Sequence, residues 1–164
     1  MEKKLILIAV SFIVPFIVLV KTIQFNQDCK GYLKQCSNAS SVELALERLN
    51  KALDYIENNN LTHGYTSVLW KTENDNIGYW YNNLKTCQTE LQQATTSNDQ
   101  LLKTNVLMKV RETITDQDEY GTFVTVPNGI VKYPNNLLYG ILLWISIIII
   151  CSNFLHLIIN EIYI

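Results

Sequence analysis

The sequence holds little from which a catalytic centre is built. Two histidines, His63 and His156, occur in 164 residues. The first lies in a polar middle stretch and the second in an apolar end, so they do not read as partners. A Ser/His/Asp or Cys/His arrangement would require His63 beside Cys29, Cys36 or Cys87, and no spacing suggests it. There is no C-x-x-C, no G-x-G-x-x-G, no P-loop and no H-E-x-x-H. The one close cysteine pair, Cys29 and Cys36, has no second ligand pair with which to hold zinc. Glu73-Asn74-Asp75-Asn76 is rich in oxygen ligands but lacks the glycine and terminal glutamate of an EF-hand loop. It reads better as the acidic start of a helix. The expectation is a protein that is not an enzyme and carries no cofactor or metal.

Charge is also thin, at 17% of residues. The stretch 24–136 holds ten basic and thirteen acidic side chains with no dense basic run. Neutralising several phosphates requires a Lys/Arg patch, so nucleic acid is not an expected partner. The same absence removes a polybasic signature for anionic lipid.

What the chain has in excess is apolar sequence at its two ends. Leu137 to Ile159 runs for 23 residues without a charge and includes four consecutive isoleucines, Ile147 to Ile150. As a helix this rises ~35 Å, enough to cross a hydrocarbon core of ~30 Å with some tilt. At the other end, Lys3 and Lys4 precede sixteen uncharged residues, Leu5 to Val20. No pair of small residues offers a signal-peptidase site, which favours an uncleaved anchor extended to Phe25 while Lys21 snorkels to the headgroups. Pro15, in mid-span, predicts a kink. Lys3 and Lys4 favour a cytoplasmic N-terminus, which puts the middle outside the cytoplasm and returns the C-terminus to it. The predicted organisation is an anchor over 1–25, an extracytoplasmic α+β domain over 26–136 and a second transmembrane helix over 137–160.

Within the domain, Phe25, Cys29, Leu33 and Cys36 have the rhythm of one helix face, so the first span is expected to continue out of the membrane. On that helix the two cysteines read as small core residues; local unwinding or pairing between chains would allow a disulfide instead. A helical hairpin is predicted next, over about 40–57 and 73–94. Ser40 and Glu43 have capping-box spacing, and Val42, Leu46, Leu49, Leu53 and Ile56 form the first stripe. Glu47 and Lys51 sit at the favourable i, i+4 separation. Thr72 is the expected cap of the second helix, whose stripe of Ile77, Trp80, Leu84, Cys87, Leu91 and Ala94 resembles coiled-coil heptads. Alternation at Val106, Met108 and Val110, followed by Pro127-Asn128-Gly129, predicts a short antiparallel β meander over about 105–133.

Two clusters are candidates for function. Ser146, Asn153, His156 and Asn160 fall on one face of the C-terminal helix, where polar groups in lipid seek helix partners. Helix–helix association is the favoured reading over a proton relay, because no acidic residue accompanies His156. Tyr65, Trp70, Tyr79, Trp80 and Tyr81 form either a core knot or an interaction surface. The expected function is a non-enzymatic two-span membrane protein whose domain self-associates or docks onto a larger membrane assembly. The runner-up is a ligand-sensing module that signals through a separate protein.

Overall fold

The structure, a computed structural model, describes residues 11–162, with side chains in the last helix described up to Asn153 and at Leu155. It is mostly helical. α1 (Ile13–Phe25) passes through a π-helical turn (Asn26–Lys30) into α2 (Gly31–Ser37). α3 (Val42–Asn58), α4 (Ile77–Thr95) and α5 (Gln100–Ile114) follow, then a hairpin of β1 (Thr115–Asp118) and β2 (Gly121–Val124). A 3-10 turn (Ile130–Lys132) leads into the long α6 (Asn136–Ile162). Of the predicted first span, Leu5 to Val20, the first six residues lie outside the described residues. Pro15 sits in the first turn of the described α1, where a missing N–H removes no helix bond of that segment.

The continuous helix expected from Phe25 to Cys36 is present, with one local widening. Gly31 N–H bonds the Asn26 carbonyl five residues back, and a Cβ on Gly31 would lie 3.0 Å from that oxygen. Phe25, Cys29, Leu33 and Cys36 are all buried on its inner face. The cysteines are free thiols, as core residues rather than a bridge. Burial pushes Cys29 and Cys36 up to about 12, so neither presents a thiolate near neutrality.

α3 and α4 form the predicted antiparallel hairpin. Val42, Leu49, Leu53 and Ile56 meet Ile77, Leu84, Cys87 and Leu91 in one core, so the heptad-like stripe faces this chain's own interior. Both caps differ from expectation. Ser41, not Ser40, caps α3 by accepting from Leu44 N–H at 3.2 Å. α4 begins at Ile77, capped by Asn76, which accepts from Tyr79 N–H at 3.1 Å. Thr72 instead donates to Asp75 at 2.6 Å and closes a separate 3-10 turn. The Glu47–Lys51 pair forms at 2.9 Å.

The C-terminus of α3 gives a first testable expectation. Asn60 holds a left-handed φ of 56° and Leu61 N–H returns to the Ile56 carbonyl at 2.8 Å. This is a Schellman stop, with buried Leu61 packing as its apolar partner. A β-branched residue resists that backbone, so Asn60→Val should lower unfolding free energy by about 1–2 kcal/mol. Asn60→Gly should stay within about 1 kcal/mol of the parent. Urea unfolding of the two variants side by side checks the difference.

The predicted meander over 105–133 is corrected. Residues 106–114 belong to α5, and only β1 and β2 pair, with Thr115 opposite Val124 and Asp118 opposite Gly121. Val106, Val110 and Ile114 are four apart as well as even-numbered, and the helical spacing prevails. Asp99 starts the helix by accepting from Leu101 and Leu102 N–H at 2.8 and 3.3 Å. Val110 and Ile114 then point into the core while Met108 stays exposed. Pro127-Asn128-Gly129 makes no hairpin; Gly129, at φ 75°, turns the chain into the 3-10 segment before α6.

Candidate membrane-facing surface

One described helix, α6, is long and apolar enough to cross a membrane, through Asn136–Asn153, and almost none of that stretch is buried. Isoleucines and leucines normally fill a core, yet Ile141, Trp144, Ile145, Ile147 and Ile148 face outward. α1, whose 13 described residues do not reach that length, also turns Ile13, Phe16, Leu19 and Ile23 outward, with Phe12 exposed just before it. Exposed apolar surface on this scale marks an interaction face.

The two helices lie side by side. On α1 and the residues just before it the covered positions are 11, 14, 15, 18, 21, 22 and 25; on α6 they are 136, 139, 140, 142, 143, 146, 149, 150 and 153. Both sets recur every three or four residues, the spacing of helices that cross at a shallow angle. The seam combines small side chains, Ser11, Pro15, Val18 and Thr22 on one side with Gly140 and Ser146 on the other, and the larger Leu142, Leu143, Ile149 and Ile150 of α6. At the domain end, the Lys21 ammonium stands 5.2 Å from the Tyr139 ring centroid. Where α6 begins, Asn136 donates to the Gly129 carbonyl at 2.8 Å and ties the helix to the turn before it.

Of the predicted polar stripe, Ser146 and Asn153 lie on the α1-facing side of α6. Ser146 is 5% exposed, yet its hydroxyl donates to the Leu142 carbonyl at 2.8 Å. Asn153 likewise donates to the Ile149 carbonyl at 2.8 Å. These bonds satisfy the polar groups within their own helix. What Ser146 contributes to the helix pair is small size. The side chains of His156 and Asn160 lie outside the described residues.

The aromatic cluster divides. Trp80 is buried, 9% exposed, and its indole N–H donates to the Thr125 carbonyl at 3.1 Å, joining α4 to the strand that leaves the hairpin. Tyr81 is half-buried and donates to Glu57 at 2.7 Å, reinforced by Lys85 at 3.5 Å from the same oxygen. These two hold the α3–α4 hairpin. Tyr65 accepts from Asn76 at 3.4 Å at the base of the α3–α4 loop, while Trp70 and Tyr79 are exposed. Sequence reading did not single out Arg111, which donates from Nε to the Ser37 carbonyl at 2.9 Å and caps α2 from α5. Its only signal was a basic residue within an apolar-periodic run.

A cleft of about 670 Å³ opens between α4, α5 and the hairpin, with Lys30, Glu73, Tyr79, Glu112, Asp116 and Phe123 on its walls. His63 is elsewhere, with Nδ1 3.0 Å from the Thr62 hydroxyl. Among the described residues no three His, Cys, Asp or Glu side chains converge as metal ligands would. The fold and its outward apolar faces thus define a class: a helical domain carried on an apolar helix pair. No family model, curated protein or solved structure matches the chain.

Proposed function

We propose that this is a non-enzymatic membrane protein with two spans, α1 with its preceding residues and α6, carrying an extracytoplasmic domain that self-associates or docks on a larger membrane assembly. The observation that carries the reading is the α1–α6 pair: its covered positions recur at helical spacing along both helices, and large apolar residues cover its outer faces. Lipid satisfies those faces, and so does another helix. The lysines at positions 3 and 4 set the orientation. Cys29, Cys36 and Cys87 are buried thiols, and His63 is not among the residues that line the cleft.

Cys151 provides the test, because it is exposed on the outer face of α6 while Cys29, Cys36 and Cys87 are buried. Mild oxidation of native membranes should yield a disulfide-linked dimer that Cys151→Ser abolishes, or a partner should co-purify in mild detergent. Monomer under oxidation together with no co-purifying protein would remove the proposal. A second reading, ligand sensing, rests on the cleft beside α4. A saturable thermal shift of the full chain by a small molecule, lost on Glu112→Ala, would favour it.

A further inference from the structure

Resting on the reading of α6 as a span, we infer that the α3–α4 loop is a third membrane contact, with Val68-Leu69-Trp70 inserted at the headgroup boundary of the leaflet that α6 enters from the domain. These residues are 52%, 76% and 77% exposed, the longest consecutive run of exposed large apolar side chains among the described residues. The loop is nonetheless built. Thr66 N–H bonds the Asp75 carbonyl and Ile77 N–H bonds the Gly64 carbonyl, each at 2.9 Å, so its base is closed. A closed loop presenting three bare apolar side chains has a surface with no occupant inside the chain.

Helix geometry sets the height of that surface. The rings of Phe25 on α1 and Tyr55 on α3 meet at 6.0 Å between centroids. α3 runs antiparallel to α1 and α2, so its cap at Asn59 lies about 6 Å closer to the span end. Lys21, four residues back along α1, is at that same height, against Tyr139 in the first turn of α6. The loop therefore starts level with the start of the span. Gly64 then fastens it there: a Cβ on this residue would run into the Tyr133 hydroxyl, three residues before α6.

The chemistry matches that depth. Tryptophan combines an apolar ring with an N–H donor and is enriched at the headgroup level of bilayers. Lys71 follows it, with its ammonium 5.2 Å from the Tyr65 ring centroid at the loop base. A cation held above apolar neighbours is the arrangement of an interfacial segment. The position favours the bilayer over a second copy or a soluble partner, because the loop stands at the membrane end of the domain.

Fluorescence of the full chain in vesicles tests this, using phosphatidylcholine brominated near the top or near the end of its acyl chains. Trp144→Phe leaves Trp70 to report, and Trp70→Phe leaves Trp144, over the constant background of buried Trp80. Trp70 should lose emission to shallow bromines more than to deep ones, and Trp144 should be quenched as well. If Trp144 is quenched while Trp70 responds only to aqueous iodide, the loop contact is wrong and the span stands. If Trp144 is unquenched, the span reading fails and takes this inference with it.

Discussion

Trp80→Ala should lower the unfolding free energy by about 3–5 kcal/mol, the range for removing a buried large aromatic side chain. The size follows from what the indole joins. It fills the space between α4 and the segment after β2, and its N–H holds the Thr125 carbonyl. Val124 and Ile130, on either side, are the residues through which the hairpin and the turn before α6 reach the common core. Losing the ring opens a cavity at that junction and frees the Thr125 carbonyl together. Trp80→Phe separates the two effects. It keeps most of the apolar area and loses the bond, and Thr125 is exposed enough for water to replace the donor. That variant should lose only about 0.5–1.5 kcal/mol. Urea unfolding of the full chain in mild detergent, followed by near-ultraviolet circular dichroism, reads both. A loss below about 1 kcal/mol for Trp80→Ala would mean that the hairpin does not depend on this junction.

The same residue shows where the sequence was legible. Trp80 stood in an apolar stripe at helical spacing, and stripes of this kind in α3 and α4 ended up buried as the spacing required. Burial enforces period, so a long stripe carries its own confirmation. α5 was harder because its apolar residues fit two periods. Val106, Val110 and Ile114 satisfy periods of two and of four alike, and the β-branched residues around them favour strand. The deciding signal was Asp99, whose carboxylate bonds two N–H groups ahead of Leu101-Leu102, and it lies outside the alternating stretch. Caps slipped for a related reason. Ser40 and Ser41 are equally good caps in isolation, and the path of the chain from α2 chooses between them.

The candidate site was legible in composition and not in direction. The spacing of Ser146 and Asn153 put them on one face, and that face turns to α1. Their hydrogen bonds go to their own helix because a Ser or Asn side chain reaches the carbonyl four residues back as easily as a neighbour. The aromatic cluster was read as one body because its members are close in sequence. On α4, however, Tyr79, Trp80 and Tyr81 point in three directions, 100° apart, so adjacency separates them. Whether Trp70 belongs to a core knot or to a surface depends on tertiary contacts that spacing does not encode, and in the structure it is exposed.

If α6 spans a bilayer as proposed, Ile148→Arg should release its middle from it. Ile148 is 63% exposed, lies near the midpoint of α6 and looks away from α1. If that face meets hydrocarbon, an arginine there shifts insertion by about 2.5–3.5 kcal/mol relative to a neutral centre, on the order of a hundredfold in the inserted fraction. Snorkelling offsets little, since the nearest headgroups are roughly half a hydrocarbon thickness, about 15 Å, away. Cys151 reports the outcome from less than one turn further on. In intact membranes it should resist a membrane-impermeant maleimide in the parent and become labelled in Ile148→Arg. Leu101→Arg is the matched control, because Leu101 is equally bare, 69% exposed, on α5 of the domain. An arginine there meets water and should leave Cys151 shielded. The contrast between two exposed apolar residues, one sensitive to charge and one indifferent, separates a helix solvated by lipid from one that is only apolar. Labelling of Cys151 in the parent and in both variants alike would place α6 outside the bilayer.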